Sequence, residues 1–208
     1  MALGDAILII IVLLVSVVLH ENAHGWTALA LGDPTARVAG RLTLNPIPHL
    51  DPFGSLILPA LLALTTPGAV FGYAKPVPIS PSKLRGTDRW GFAVVALAGP
   101  ASNVVIAFIA ATLFGSLASP VGGGLIAKIL VFTFNVNIFL AAFNLLPIPP
   151  LDGSRLIRPF LHEGGRRALD RIEPFGFLIL FGLLIFLSEP LFRIINLIRD
   201  GILRLLPL

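Results

Sequence analysis

The sequence predicts an all-α polytopic membrane protein with about four to six membrane helices. Of its 208 residues, 56% are hydrophobic and 12% are charged, and the mean hydropathy is +0.93. A soluble domain of this length usually carries about a quarter charged residues. Two runs, 91–127 and 129–151, contain no charged residue or histidine. Each is long enough for a spanning helix, which needs roughly 20 apolar residues.

Composition also excludes several classes of protein. The chain has no cysteine, so disulfides and thiolate metal ligands are excluded. The net charge of +4 is small and sits in loops, which gives no reason to expect a nucleic-acid partner. Only Asp5 precedes the first apolar run, whereas a cleaved signal would begin with a basic segment. The N-terminal segment is therefore predicted to be an uncleaved first membrane helix, and the lipid bilayer is an expected partner of the protein.

The first half of the chain begins with a predicted helix from about Gly4 to Leu31 that ends at Gly32-Asp33-Pro34. Residues 35–47 have a strand-like pattern, in which apolar residues alternate with polar or small ones before Asn45-Pro46. Residues 53–72 are apolar but contain prolines and glycines, and 73–89 form a basic, proline-rich loop.

The second half begins with a predicted hairpin of two helices, 90–119 and about 125–146. The remaining segments are a surface helix within 154–173 and one or two further membrane helices within 174–206, broken at Glu189-Pro190. We expect one domain over 1–208, with a core of about residues 5–160.

The positive charges predict the orientation of the helices. Basic residues precede the first hairpin helix and follow the second, and two more follow helix 1: Lys75, Lys83, Arg85, Arg89, Arg155, Arg158, Arg166, Arg167, Arg171, Arg37 and Arg41. The positive-inside rule places these ends in the cytoplasm. A single crossing at 53–72 would put the 75–89 loop outside, so 53–72 is expected to re-enter. Irregular backbone at membrane depth must line a wet cavity or be covered by protein.

The chemistry is concentrated in "HENAH", residues 20–24. On a helix, His20 and His24 are about 40° apart around the axis and one turn apart along it. Two imidazoles so placed can bind one metal ion, and Glu21 can hold the attacking water as a general base. The alternative is a buried polar network satisfied by partner helices. Ionisable residues at membrane depth are, however, usually functional.

A catalytic zinc site normally needs a third protein ligand. His162 lies in a basic stretch typical of a surface, and His49 lies in a loop. Asp152 follows the second hairpin helix, on the face where helix 1 also ends. Gly153 permits a tight turn there. Taken alone, Asp-Gly after a helix is more often a turn than a metal site.

Three motifs together resemble the site-2 protease family of intramembrane zinc metalloproteases. These are "HENAH" in the first membrane helix, "AGPASN" early in a later one, and "FNLLPIPPLDGSR" ending the next. The resemblance covers about residues 5–160. It implies that His20, His24 and Asp152 bind one Zn²⁺ per chain and that Glu21 is catalytic. It also implies that Asn144 donates to a substrate backbone carbonyl or stabilises the oxyanion; a helix-to-helix hydrogen bond is its alternative role. Asn103 is a second candidate for substrate contact, and the alternative interpretation of its motif is close packing at Gly99 and Ala101.

The resemblance implies a function, namely hydrolysis of peptide bonds within or near transmembrane segments of membrane proteins. The strand-like segment would dip toward the site, beside the re-entrant segment. An unwound substrate would pair with its edge, at Arg41, Leu42, Thr43 and Leu44. The chain looks like a compact member, because no insertion of PDZ size separates the two hairpin helices. The expected location is a prokaryotic plasma membrane, with the active site toward the cytoplasm.

Two other classes of function use the same residues. A metal transporter would carry ligands along a path and show internal repeats, whereas the candidates here gather at one depth and no repeat is visible. An inactive scaffold that binds membrane partners would have no need of a base such as Glu21.

Overall fold

The computed structural model describes residues 3–51, 54, 74–85, 90–121, 124–186 and 188–205. Its helices are α1 (Leu3–Ala30), α2 (Thr35–Val38), α3 (Trp90–Val121), α4 (Leu125–Asn144), α5 (Asp152–Ile157), α6 (Glu163–Ile172), α7 (Gly176–Phe186) and α8 (Ser188–Leu205). Short 3₁₀ turns lie at Ile47–His49, Pro81–Lys83, Arg158–Phe160 and Glu173–Phe175.

Three of the described helices are long and apolar enough to cross a membrane: Gly4–Ala30, Trp90–Ser116 and Leu125–Asn144. They confirm an α-helical integral membrane protein. The further membrane helices predicted within 174–206 are not among these three. That part of the chain contains α7 and α8, with residue 187 between them outside the described residues. Helix α8 is amphipathic and includes Arg193, Arg199, Asp200 and Arg204.

The three long helices have a definite register. The Lys128 ammonium lies 2.9 Å from the Asp5 carboxylate, so α1 and α4 begin at the same end of the bundle. The His24 imidazole contacts the backbone carbonyl of Val95 near the start of α3. Helix α1 is therefore antiparallel to α3 and parallel to α4. The end of α1, the start of α3 and the end of α4 meet at one end of the bundle.

Small residues let α3 approach its neighbours closely. Ala93, Ala96, Ala107 and Ala110 are buried on this helix, as is Gly99. In a bilayer, helix association depends on close van der Waals packing rather than on the hydrophobic effect, and small residues at the interface permit it. The alanines and the glycine of α3 therefore account for its central position.

The strand predicted over residues 35–47 is wrong for its first part, which forms the short helix α2. Gly40 has a positive φ of 66°, and the Arg41 amide bonds the Ala36 carbonyl at 2.9 Å, so the chain turns sharply there. The alternating pattern misled because Val38 and Leu44 are exposed, at 82% and 71%. Residues 41–46 are non-helical, and no described residue pairs with them as a strand. The predicted re-entrant segment 53–72 lies, apart from Gly54, outside the described residues.

The C-terminal helices pack against the end of α4 and the loop after it. This cluster of buried apolar residues consists of Ala142, Phe143, Leu146, Leu151, Leu180, Leu191 and Ile195. The loop between α4 and α5 is thereby held in place. The predicted third ligand, Asp152, directly follows this loop, so α7 and α8 support the end of the bundle that carries the site.

Candidate metal centre

The two histidines of HENAH face the interior of the bundle from consecutive turns of α1. His20 and His24 are 6% and 4% exposed, and their Nε2 atoms lie 3.0 Å apart. Gly99 on α3 lies directly against them. A Cβ atom at that position would stand 2.4 Å from His24 Nε2 and 2.5 Å from His20 Cε1. The backbone of α3 therefore forms one wall of the site.

Asp152 reaches the same point from the other side of the bundle. Its Oδ2 atom lies 3.2 Å from the Nε2 atoms of both His20 and His24. The approach depends on Gly153, where a Cβ atom would stand 2.3 Å from the carbonyl oxygens of Leu145 and Leu146. A residue with a side chain would push α5 away from the end of α4. Asp152 is thus placed by a turn that only glycine fits.

Hydrogen bonds on the far side of each imidazole fix its tautomer. His24 Nδ1 lies 2.7 Å from the Val95 carbonyl oxygen, which can only accept, so Nδ1 carries the proton. His20 Nδ1 lies 2.5 Å from Asn103 Oδ1. Asn103 donates from Nδ2 to Asn137 Oδ1 at 2.7 Å, which leaves its Oδ1 as the acceptor. Both Nε2 atoms therefore present lone pairs toward Asp152.

The amide chain continues beyond Asn137, which is fully buried. Its Nδ2 donates to Ser16 Oγ at 2.9 Å and to the Thr133 carbonyl at 2.8 Å. These contacts fix which end of the Asn137 amide faces Asn103. The orientation of His20 is thus set by a chain of polar groups that crosses α1, α3 and α4.

Three electron-pair donors converge here with no proton to share among them. Asp152 Oδ2 is buried and has no hydrogen-bond partner among the described residues. Two neutral imidazoles and a carboxylate repel one another unless a cation lies between them. This donor set fits a catalytic zinc ion, which His20, His24 and Asp152 would hold.

Glu21 is held by a segment that sequence reasoning did not single out. Residues 74–80, here called the strap, cross the end of α1, and the Val77 amide donates to Glu21 Oε2 at 2.8 Å. One end of the strap is fixed at Lys75, whose amide bonds the His49 carbonyl at 2.8 Å and whose carbonyl accepts from Arg41 at 2.7 Å. The other end is fixed at Ser80.

The Ser80 amide donates to Asp33 Oδ2 at 2.6 Å. Asp33 also accepts from the backbone amide and the hydroxyl of Thr35. Burial opposes ionisation of Asp33, but these hydrogen bonds outweigh it and lower its pKa. Asp33 therefore stays a carboxylate near neutral pH and ties the strap to the end of α1.

A cavity of about 190 Å³ opens beside the three ligands. It is lined by α1, the strap, the end of α4, the Asp152 turn and α7: Val17, His20, Glu21, His24, Ala74, Pro76, Val77, Ile79, Leu140, Phe143, Asn144, Pro150, Leu151, Asp152, Arg155, Phe177 and Leu180. Most of the lining is apolar, and the polar groups gather around the ligands. A short stretch of polypeptide beside the metal site would therefore meet both a hydrophobic wall and reactive groups.

The residues predicted to contact substrate lie in different parts of the structure. Asn144 lines the cavity, and its Nδ2 donates to the Leu140 carbonyl at 3.0 Å. Asn103 is fully buried and does not line the cavity. Its amide orients His20, which corrects the predicted contact with substrate, because both ends of the amide already have partners inside the bundle.

Residues 41–44 lie beside α1 rather than in the cavity wall. Arg41 is 9% exposed and holds the strap. Thr43 turns its carbonyl inward to Asn22 Nδ2 at 2.8 Å and to His49 Nε2 at 3.0 Å, so His49 braces this loop. Among the described residues, the cluster able to hold a metal contains His20, His24 and Asp152. Neither His49 nor His162 is part of it.

Sequence reasoning missed Val77, Asn137 and the place of Arg155 in the cavity. Sequence features that point to Val77 and Asn137 are present. Pro76 and Pro78 bias the residues before them toward extended backbone, and Asn137 is a polar residue inside an apolar membrane helix. Arg155 was counted only as a charge that orients the chain.

Comparison with known proteins agrees with this geometry. The sequence profile of peptidase family M50 matches residues 8–122 and 119–187. The chain belongs to peptidase family M50, the site-2 protease family. No solved structure matches it.

Relatives that match this chain over most of its length are named as candidate zinc metalloproteases. YwhC of Bacillus subtilis is 36% identical over 206 residues, which covers 95% of this chain and 90% of YwhC. Rip2 of Mycolicibacterium smegmatis is 35% identical over 182 residues, covering 88% of this chain and 68% of Rip2. Rip2 of Mycobacterium tuberculosis is 33% identical over 192 residues, covering 90% and 70%. The family supports zinc as the metal of the three-ligand cluster.

Substituting Gly99 with alanine should weaken zinc binding about 100-fold, the upper range for changes beside metal ligands, because the new methyl group would displace both imidazoles. Gly115→Ala is the matched control on the same helix, since a Cβ atom there meets nothing within 4 Å. Zinc affinity is measured by competition with a chelator. Equal affinities for Gly99→Ala and Gly115→Ala would show that α3 does not set the histidine positions.

Replacing Val77 with proline should lower kcat about 10-fold or more while zinc content and KM stay near wild type, because the hydrogen bond that positions Glu21 is lost. The Val77 side chain is also buried, so the control must change that side chain and keep the amide. The flanking prolines make the extended backbone compatible with proline at this position. Val77→Ala, which retains the amide, is the control. A loss of kcat as large in Val77→Ala would mean that side-chain packing, and not the amide, matters.

Proposed function

We propose that this protein is an intramembrane zinc metalloprotease that hydrolyses peptide bonds within or near transmembrane segments of other membrane proteins. The observation that carries the proposal is the convergence of His20, His24 and Asp152 beside Glu21, inside a bundle of membrane-spanning helices. A purely structural polar network would pair its donors with acceptors. Here three acceptors meet, and a carboxylate positioned by a backbone amide stands next to them.

Each residue has a defined role in hydrolysis. Zinc, when bound by His20, His24 and Asp152, polarises the scissile carbonyl and lowers the pKa of water toward about 7. Glu21 takes a proton from the attacking water and returns it to the leaving nitrogen. Val77 keeps one carboxylate oxygen of Glu21 engaged, which leaves the other for proton transfer. The apolar lining of the cavity excludes bulk water from the site.

The substrate must reach the site in an extended form, because the hydrogen bonds of a helix shield its peptide bonds. Within the described part of the chain, the amides of Thr43 and Leu44 have no hydrogen-bond partner. An unwound substrate segment can pair with this edge by strand addition, with Arg41 and Leu42 continuing it. Asn144 lies at the cavity wall, where its side-chain oxygen and its second N–H can form hydrogen bonds with the substrate backbone.

The location follows from the register of the bundle. The metal site lies at the end where α1 and α4 finish, and the basic residues Lys75, Lys83, Arg155 and Arg158 lie near it in the chain. The positive-inside rule assigns this end to the cytoplasm. The bacterial relatives favour a prokaryotic plasma membrane, where the partners are the bilayer and a substrate with a transmembrane segment.

Other uses of the same residues are less consistent with the geometry. A transporter needs a succession of ligands across the membrane. The polar groups that extend from His20 toward Ser16 are amides and a hydroxyl, already paired with one another. A scaffold that only binds partners would not need a carboxylate fixed beside an open metal position.

Glu21→Gln should retain one zinc per chain and lose cleavage of a single-span membrane substrate by at least about 100-fold, because the amide can accept the Val77 hydrogen bond but cannot take a proton. Glu163→Gln, on the exposed surface of α6, is the control for loss of a carboxylate. Zinc content and cleavage are measured on the same purified samples. Cleavage by Glu21→Gln at the wild-type rate would exclude Glu21 as the base, and absence of zinc from the wild type would refute the metal site.

Thr43→Pro should raise KM or abolish cleavage while zinc content stays at one per chain, because the amide proposed to pair with substrate is removed. Thr43→Val retains that amide and loses only the hydroxyl, so it should cleave like wild type. Equal cleavage by Thr43→Pro and wild type would place substrate pairing elsewhere.

A further inference from the structure

We propose that Arg155 is a catalytic residue, whose guanidinium binds the scissile carbonyl oxygen as negative charge develops on it. The inference rests on the proposed proteolytic function and adds a residue to it. Arg155 lies on α5, three residues after Asp152, and its side chain lines the cavity beside the metal ligands. Within the part of the chain that the structure describes, it is the one Lys or Arg side chain in that lining.

The contacts of Arg155 leave its hydrogen-bonding groups available. Its closest charged neighbour is Asp152 Oδ1, 3.8 Å from NH1, which is beyond the 2.7–2.9 Å typical of a charge-assisted hydrogen bond. Its guanidinium carbon lies 5.3 Å from the centroid of the Phe92 ring, a cation–π contact that holds the group without using its N–H donors. None of the described residues accepts a hydrogen bond from Arg155. Its five N–H groups are therefore free to face an occupant of the cavity.

Arginines nearby behave differently. Arg158, three residues further along, donates to Asp170 at 2.7 Å and lies 4.0 Å from Glu173, and it does not line the cavity. The side chains of Arg155 and Arg158 have similar exposure, 27% and 28%. The difference between them is thus one of direction and partners. Arg158 forms ion pairs at the surface, whereas Arg155 makes no hydrogen bond to a described residue and borders the cavity.

The two carboxylate oxygens of Asp152 face different groups. Oδ2 faces the two histidines, and Oδ1 faces Arg155. The guanidinium thus borders both the Asp152 carboxylate and the cavity in which a substrate would lie. A group serving only to orient Asp152 would close the gap and bind Oδ1 directly.

Hydrolysis of a peptide bond creates a negative charge that the Arg155 guanidinium can bind. The water oxygen bonds to the carbonyl carbon, the C–N bond then breaks, and Glu21 carries the proton from water to the departing nitrogen. Between these events the former carbonyl oxygen bears a negative charge. A fixed cation stabilises such a charge far more in an apolar cavity than in water. Arg155 meets this requirement without moving any proton, because a guanidinium stays protonated.

The test compares Arg155→Gln and Arg155→Lys with the matched control Arg158→Gln. Cleavage of a single-span substrate gives kcat and KM, chelator competition gives zinc affinity, and a peptide with a phosphinate in place of the scissile amide supplies a stable tetrahedral anion. Arg155→Gln should lower kcat about 100-fold, as loss of one oxyanion donor does, and weaken phosphinate binding by a similar factor. Its KM and zinc affinity should stay within about two-fold of wild type.

The control and the lysine variant separate the alternatives. Arg158→Gln should match wild type in all four quantities, and Arg155→Lys should recover part of kcat because it keeps the charge and loses the fork. The inference is overturned if Arg155→Gln loses zinc affinity about 10-fold and saturating zinc restores kcat, since Arg155 would then act through Asp152. It is also overturned if Arg155→Gln retains full kcat. A wild type that binds zinc and cleaves nothing refutes the proposed function itself.

Discussion

The repulsion among two imidazole nitrogens and one carboxylate oxygen, held within an apolar bundle, is the constraint on which the rest of this structure depends. A chain does not bring three acceptors together by packing alone, because each would be better solvated apart. Every surrounding element restrains one of them. Gly99 lets α3 come close enough to wall in the histidines, Gly153 lets the Asp152 turn close, and the amide of Asn103 dictates which nitrogen of His20 is protonated.

The same constraint explains why so much of the chain outside the three long helices serves one end of the bundle. Helices α7 and α8 bury an apolar cluster against the loop that leads to Asp152. The strap is tied to α1 and to the loop that follows it, so the Glu21 carboxylate is held in place relative to His20, His24 and Asp152. The site is organised by contacts distant in sequence, which a local motif does not reveal.

Features that depend on contacts local in sequence could be predicted, whereas features that depend on contacts distant in sequence could not. The i, i+4 spacing of His20 and His24 is a property of one helix, so the ligand face was predictable, as were the long apolar helices. Asp152 needed the family resemblance, because Asp-Gly after a helix has a commoner meaning as a turn. The strand over 35–47 was wrong because its alternation does not correspond to one buried face. The roles of Val77 and Arg155 depend on segments meeting in space, and nothing in their immediate neighbours encodes that meeting.

The chain of Asn103, Asn137 and Ser16 has a consequence for the energetics of the membrane. It extends from the metal site toward the opposite side of the bilayer, the direction in which a leak would run. Amides do not pass protons along as water or carboxylates do, since each N–H is fixed to its nitrogen and its orientation is set by its partners. A continuous row of water molecules in the same place would conduct protons across the membrane and dissipate the proton gradient of the cell. The groups that fix the orientation of His20 therefore do not provide a path for protons through the bundle.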